Sequence, residues 1–194
     1  MIRSSNRDKC TASDYQKMFA TSREQLHWLC YTLTGNAELS DQALDAALQQ
    51  TLKGAGEVFR EWMWSWARRL IVKLCIAIVR PAAMKNEDQT CMCQEVKSVS
   101  LNASEREILM SLPLEELQRR LLLLDPLERF AFVLRAIEGY SRHDAALLLD
   151  LEDRPCELAY LRAARTLAQY EEDKDLLFAG SILGAGYCLA QSGD

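Results

Sequence analysis

The chain has 194 residues, 49% of them hydrophobic, with only 8 Gly and 4 Pro, a composition that favours a helical globular protein. Its net charge of −5 argues against a protein that binds nucleic acid by bulk charge alone, but it does not exclude a DNA-binding factor delivered by a larger partner. It has no run of about 18 uncharged apolar residues and no apolar N-terminal stretch, so we expect a cytoplasmic protein with neither membrane span nor signal peptide. Its seven Cys are irregularly spaced, which predicts reduced thiols.

Three amphipathic helices are predicted in the first part of the chain. The first spans Asp14 to Thr34 and ends at the Gly35-Asn36 turn, and the second spans Leu39 to Leu52. A third helix begins near Val58 and runs to about Val79, where Pro81 is expected to end it. These patterns predict one helical domain over residues 14–80.

The third helix combines positive charge with aromatic residues. The stretch 58–80 carries five basic residues against one acidic residue, a net charge of +4. Basic groups can neutralise phosphates and aromatic faces can stack on bases, which predicts nucleic-acid contacts at Arg60, Trp64, Arg68, Arg69 and Lys73. We expect Trp62 and Trp66, four residues apart, to pack in the core instead. Arg68 and Arg69 have a second interpretation, as ordinary solvated surface.

A polar segment over residues 81–112 separates this domain from the next one. It has no sustained apolar period, so we expect a flexible linker with a short helix at Ser104–Met110. Cys91 and Cys93 form the only close Cys pair, and with no second pair nearby we predict no metal site.

A short group of helices is predicted between Leu124 and Leu167. Pro126 suits the first turn of a helix, because its missing N–H costs nothing there. Gly139 ends that helix, and the hydroxyl of Ser141 can cap a short helix over residues 142–149. After a break at residues 150–153, another helix begins near Pro155.

That last helix has apolar residues spaced by four, three and four, which predicts one buried stripe: Cys156, Tyr160, Ala163 and Leu167. Leu158 and Leu161 are expected to lie off this stripe. The arrangement predicts a helix-turn-helix whose last helix lies in the major groove of DNA. Its predicted DNA contacts are Arg154, Arg162 and Arg165.

Two sets of motifs resemble bacterial sigma factors of the extracytoplasmic-function (ECF) group. The resemblance to region 4 is carried by Leu124 with Pro126, Glu138-Gly139-Tyr140-Ser141, Ala146 and Arg162-Ala163-Ala164-Arg165. The resemblance to region 2 is carried by Leu33-Thr34-Gly35 and by Trp62-Met63-Trp64-Ser65-Trp66-Ala67-Arg68-Arg69. Together they cover most of residues 15–170.

The resemblance implies an all-α protein with two helical domains joined by a flexible linker. The expected bounds are 14–80 for the region 2-like bundle, 81–112 for the linker, 113–170 for the region 4-like helix-turn-helix and 171–194 for a C-terminal extension. It also implies a transcription initiation protein, not an enzyme, with no catalytic residue, no cofactor and no membrane partner. The implied partners are core RNA polymerase, promoter DNA and an anti-sigma factor.

The sequence also departs from the family's pattern. The polymerase-contacting run of the family matches residues 42–46 here, where Gln42 and Asp45 keep an amide and an acid in swapped places. Residues 139–170 hold four Arg against five acids, a net charge of −1, and Glu157 lies in the predicted recognition helix. A second hypothesis therefore stays open, in which the sigma scaffold serves as a non-enzymatic interaction module with weak or no DNA binding. The apolar segment 176–190 has two interpretations, a helix packed on the second domain or a docking tail for a partner.

Overall fold

A computed structural model describes residues 9–83 and 100–185, with side chains described over 9–79 and 100–169. Within these residues the secondary structure is helical apart from a single β-bridge between Lys9 and Phe59. This confirms the all-α class that the sequence predicts. Cys91 and Cys93 lie outside the described residues. No helix in the described part of the chain is long and apolar enough to cross a membrane.

Nine α-helices in the described residues form two sequential groups. The first group, here called the N-terminal half, consists of α1 (Ala12–Thr21), α2 (Arg23–Thr34), α3 (Ala37–Lys53) and α4 (Met63–Ala83). The second group, the C-terminal half, consists of α5 (Ala103–Ser111), α6 (Leu114–Leu121), α7 (Pro126–Phe132), α8 (Arg142–Leu149) and α9 (Asp153–Ala185). A π-helical turn, Val133–Ile137, continues α7.

The predicted helix over Asp14–Thr34 is two helices, because the chain leaves helical geometry at Ser22 with φ −109° and ψ 18°. Thr11 and Asp14 form a capping box at the start of α1. Gly35 ends α2 with φ 69°, a left-handed conformation that glycine adopts without a steric penalty. Asn36 then caps α3 by accepting a hydrogen bond from the N–H of Leu39 at 3.1 Å.

The third predicted helix differs from the structure at both ends. Residues Arg60–Trp62 form a 3₁₀ turn and α4 begins only at Met63, so Trp62 does not share the helical phase of Trp66. At the other end, α4 continues past Pro81 to Ala83, so the expectation that Pro81 ends it is wrong. Pro81 lies in the last turn, where its missing N–H removes a single hydrogen bond.

In the C-terminal half, the local signals in the sequence set the helix starts. Pro126 stands at the first position of α7, and Ser141 caps α8 by accepting from the N–H of Asp144 at 3.0 Å. The turn to α9 passes through Asp150, which has φ 56°. A helix also forms where Ser104–Met110 was expected, and its capping box joins Asn102 to Glu105.

The buried residues of the two halves form one continuous apolar cluster. Helix α7 packs against α9 and also touches α2 and α4, while α5 packs along α9. Of the predicted stripe on α9, Cys156, Ala163 and Leu167 are buried, and Tyr160 is partly buried. Leu161 was expected off the core face, but only 2% of it is exposed. The stripe is wider than the spacing predicted, because α9 has neighbours on two sides.

Candidate nucleic-acid interface

Helix α3 exposes the two residues that the sequence singles out as polymerase contacts. Gln42 and Asp45 lie one turn apart on its solvent side, while Ala43, Leu44 and Ala47 are buried on the other side. These three buried residues anchor the helix in the core, so its polar side faces the solvent. An amide and a carboxylate presented this way can bind a positively charged or hydrogen-bonding protein surface.

Helix α4 exposes two of its predicted basic contacts. Arg69 and Lys73 are four residues apart, and both are exposed on the side where Ser65 lies one turn earlier. We call Ser65, Arg69 and Lys73 the basic stripe. Ile71, Val72 and Cys75 are buried on the opposite side of the helix and anchor it in the core. Two cations fixed at this spacing can contact neighbouring phosphates.

Arg60 is exposed but paired. Its guanidinium donates a hydrogen bond from Nη2 to the carboxylate of Asp14 at 3.0 Å, and 56% of the side chain remains exposed. Asp14 also accepts hydrogen bonds from the N–H and the hydroxyl of Thr11. These hydrogen bonds and the Arg60 charge hold the pKa of Asp14 below its usual value. Arg60 therefore reaches solvent as one member of a small charged cluster.

Arg68 is engaged by the C-terminal half. Its Nε donates to Oε2 of Glu138 at 2.8 Å and its Nη2 pairs with the other carboxylate oxygen. The exposed fractions of the two side chains are 15% and 4%. The guanidinium also lies over the ring of Trp64, 5.3 Å from its centroid. In this conformation neither Arg68 nor the half-buried Trp64 is free to contact a nucleic acid.

Trp62 takes the exposed position that was expected of Trp64. It is 56% exposed and meets Phe59 edge to face, with ring centroids 5.9 Å apart. The expectation that Trp62 packs in the core is therefore wrong. Trp66 is partly buried, and its ring centroid lies 6.1 Å from that of Tyr15. Trp62 and Trp66 point in different directions because the chain changes from a 3₁₀ turn to an α-helix at Met63. The spacing of apolar residues in the sequence does not reveal that change.

Helices α8 and α9 form the predicted helix-turn-helix, and they present its three Arg residues differently. Arg154 is exposed in the first turn of α9. Arg165 lies 3.6 Å from the carboxylate of Glu105 in α5, and 20% of its side chain is exposed. Arg162 is half-exposed, and its charge acts on Glu128 of α7. Arg154 is the most accessible of the three for DNA contact.

The acid of the predicted recognition helix points inward. A carboxylate oxygen of Glu157 lies 3.5 Å from Nη2 of Arg135, and only 21% of the Glu157 side chain is exposed. Arg135 also stacks on the ring of Tyr160 at 5.5 Å and donates to the carbonyl of Tyr140 at 3.0 Å. The negative charge that we expected to face DNA thus lies beside a cation within the protein, although Oε2 of Glu157 accepts no hydrogen bond among the described residues. The ion pair between Glu157 and Arg135 cannot be predicted from the sequence, because Arg135 lies on another helix.

No protein-family model matches the chain. Over 156 residues it is 26% identical to the ECF RNA polymerase sigma factor SigM of two Mycobacterium tuberculosis strains, covering 80% of this chain and 76% of the relative. The fold is similar to that of the sigma factor RpoE from Bartonella quintana, solved in complex with the anti-sigma factor NepR. The TM-score is 0.53 and the identity 16%, over 82% of this chain and 98% of that chain. The motifs and the sequence similarity to SigM support an ECF-type sigma factor, and the structural comparison shows the same fold.

Proposed function

We propose that this ECF-type sigma factor binds core RNA polymerase and recognises promoter DNA. The observation that carries the proposal is that two helices packed together in the N-terminal half, α3 and α4, each expose a polar face. Gln42 and Asp45 face solvent on α3, whereas Arg69 and Lys73 face solvent on α4. One face suits a protein partner and the other suits phosphates, so both can be occupied at once.

The C-terminal half would supply the second DNA contact through α9. Arg154 is exposed at the start of that helix, where a helix-turn-helix protein meets base edges and phosphates. The inward position of Glu157 places beside Arg135 a charge that would otherwise repel the phosphates. Because Arg165 is paired with Glu105, its contribution to DNA binding requires that pair to break.

An anti-sigma protein is the third partner that we propose. The similar RpoE of Bartonella quintana was solved with such a protein bound. For this chain the proposal rests on that similarity of fold alone. Co-expression with candidate partners and co-purification would test it.

A second candidate function, an interaction module without DNA binding, has one observation in its favour. Two of the eight predicted DNA contacts, Arg68 and Arg165, are paired with carboxylates of the C-terminal half. If those pairs persist in every state of the protein, the surface left for DNA is small. Transcription assays separate the two functions.

The test is co-purification with core RNA polymerase, followed by run-off transcription from a promoter library. We expect the chain to direct specific initiation. The double variant Arg69→Ala/Lys73→Ala should weaken promoter binding by the holoenzyme and lower the salt slope by about two. A matched control is Lys17→Ala/Lys53→Ala, which removes two exposed cations from α1 and α3. Polymerase binding without initiation, or equal losses in both double variants, would contradict DNA recognition by the basic stripe.

A further inference from the structure

The loop between α3 and α4, here called the α3–α4 loop (residues 54–62), is tied to the start of the chain by backbone hydrogen bonds. The N–H of Cys10 donates to the carbonyl of Val58, and the N–H of Gly56 donates to the carbonyl of Cys10, both at 2.8 Å. Only 1% of Cys10 is exposed, so these bonds are shielded from water. Before its 3₁₀ turn the loop is neither α-helix nor extended strand, so contacts with its neighbours help to fix its conformation.

A side-chain contact joins the same two segments at the 3₁₀ turn. One carboxylate oxygen of Asp14, Oδ2, accepts hydrogen bonds from the N–H and the hydroxyl of Thr11, each at 2.8 Å, and from Nη2 of Arg60 at 3.0 Å. Asp14 therefore connects the N-terminal cap of α1 to the first residue of the 3₁₀ turn. We call residues 9–14 the N-terminal clasp.

The N-terminal clasp meets the loop just before the exposed ring of Trp62. The N–H of Trp62 donates to the carbonyl of Phe59 at 2.9 Å, and the two rings meet edge to face. Arg60, which Asp14 holds, lies between these two residues in the chain. A ring gains most from stacking on a base when its orientation is set in advance, since less conformational freedom is then lost on binding.

We infer that the N-terminal clasp is a positioning device for nucleic-acid binding, in which Asp14, through Arg60, fixes the orientation of Trp62 toward single-stranded DNA. The inference rests on the proposed function, because it takes Trp62 as a contact for promoter DNA. Asp14 and Arg60 are positioning residues in this arrangement, since they act on the strand through Trp62. The consequence opposes the expectation from charge alone: Asp14 is an acid close to a DNA-binding surface, yet its loss should weaken binding.

The first experiment compares two substitutions that each remove one negative charge near the loop. Asp14→Asn breaks the ion pair of the N-terminal clasp, whereas Glu57→Gln changes an exposed carboxylate within the loop itself. On charge alone, both should tighten the binding of phosphates. We expect Asp14→Asn to weaken binding of a fluorescein-labelled oligo-dT strand by the full-length chain about threefold or more, because stacking is lost. Glu57→Gln should leave the affinity unchanged or raise it.

Fluorescence anisotropy at several salt concentrations gives the affinities and their salt slopes. The salt slope counts neutralised phosphates, so a loss of positioning should lower the affinity of Asp14→Asn without lowering its slope. Unchanged or tighter binding by Asp14→Asn, or an equal loss in Glu57→Gln, would overturn the inference. Circular dichroism at the temperature of the assay verifies that both variants are folded.

The second experiment observes Trp62 directly. The chain is labelled with fluorotryptophan at its four Trp, and the fluorine resonance of Trp62 is assigned with Trp62→Phe. We expect Asp14→Asn and Arg60→Gln to shift or broaden this resonance, while Arg60→Lys, which keeps the charge, retains the wild-type signal. Arg60→Gln leaves the capping box of α1 in place, so its effect is separate from that of helix stability. A wild-type Trp62 resonance in Asp14→Asn and Arg60→Gln would overturn the inference.

A double variant tests whether the two positioning residues act as one unit. Asp14→Asn/Arg60→Gln should shift the Trp62 resonance no further than either single variant does, and additive shifts would contradict the shared action. A displaced resonance with unchanged strand binding would overturn the role of the N-terminal clasp in nucleic-acid binding. Failure of the polymerase and run-off assays would instead contradict the proposed function, whereas the fluorine spectra test the N-terminal clasp without polymerase or DNA.

Discussion

The guanidinium of Arg120 donates a hydrogen bond from Nη1 to the backbone carbonyl of Leu167 at 2.9 Å, which ties α6 to α9. Its Nε donates to Glu116 at 2.8 Å, and only 4% of the side chain is exposed. We expect Arg120→Leu to lower the free energy of unfolding by about 3 kcal/mol, because the buried carbonyl of Leu167 loses its donor, while Glu116 keeps its contact with Arg119.

Arg119 is the matched control for this substitution. It pairs with the same Glu116, but 61% of its side chain is exposed. An exposed ion pair contributes little, so Arg119→Leu should change the free energy of unfolding by less than about 1 kcal/mol. Urea denaturation of both variants measures the difference. Equal losses would show that burial of Arg120 does not set its contribution.

Local signals in the sequence were enough to place most helix ends. Pro126, Ser141 and Gly35 each act within a turn of their own position, so their effects can be read without knowledge of the fold. The break at Ser22 was missed, because the apolar pattern continues through it and only backbone geometry marks it.

Long-range pairing could not be predicted from the same information. Counting charges correctly indicated that 58–80 is basic, but it could not show that Arg68 is held by a carboxylate 70 positions away while Arg69 is free to reach solvent. The same limit applies to Glu157, whose partner Arg135 lies on the π-helical turn after α7. The residue types of the candidate site were evident in the sequence, whereas their availability depends on which helices pack together.

The capping box of α1 predicts a dependence of stability on pH. The N–H and hydroxyl of Thr11, with the charge of Arg60, hold the pKa of Asp14 below its ordinary 3.8. A carboxyl with a lowered pKa stabilises the fold above its unfolded-state pKa and loses that effect as the pH falls through its folded-state pKa. Asp14→Asn should therefore be less stable than the wild type at neutral pH, and the two should converge below pH 3.8. Thermal unfolding across this range measures it, and a gap independent of pH would contradict the explanation.

The exposed face of α3 predicts a variant that loses polymerase but keeps its fold. Asp45 is exposed, with buried neighbours on the opposite side of the helix. Asp45→Arg should leave the melting temperature within about 2 °C of the wild type, because exposed substitutions change stability little. It should weaken co-purification with core polymerase about tenfold or more, because charge reversal at an interface is repulsive. The control is Glu57→Arg, an exposed reversal outside α3. Equal binding by the two variants would contradict the assignment.

Gly35 and Gly139 have nearly the same backbone conformation but different surroundings. Substituting each with Ala therefore distinguishes the cost of backbone strain from the cost of a steric contact. Gly35 has φ 69° and Gly139 has φ 71°. An added Cβ at Gly139 meets nothing within 4 Å, whereas at Gly35 it meets the guanidinium of Arg129 at 3.1 Å. Gly139→Ala should cost about 1 kcal/mol from strain alone, and Gly35→Ala should cost more. The excess at Gly35 should disappear in an Arg129→Ala background, as a double-mutant cycle measures. A persistent excess would mean that Arg129 does not pack on this turn.

Trp62 and Trp66 should respond to truncation in opposite ways. Trp62 is 56% exposed beside the start of α4, where its carbonyl accepts a hydrogen bond from Ser65 of the basic stripe at 3.1 Å. We expect Trp62→Ala to change the free energy of unfolding by less than about 1 kcal/mol, since little buried area is lost. If its ring stacks on a base, binding of single-stranded DNA should weaken by about 1–3 kcal/mol.

Trp66 provides the contrast, because it is partly buried against Tyr15 and lies 3.6 Å from the position of an added Cβ at Gly54. Trp66→Ala should cost about 3 kcal/mol in stability through the cavity it leaves, while the folded fraction binds DNA normally. Denaturant unfolding and anisotropy of a labelled oligo-dT strand give both quantities for each variant. If Trp62→Ala destabilises the protein as much as Trp66→Ala, Trp62 belongs to the core after all. If Trp62→Ala binds the strand as tightly as the wild type, its exposed ring has no part in nucleic-acid contact.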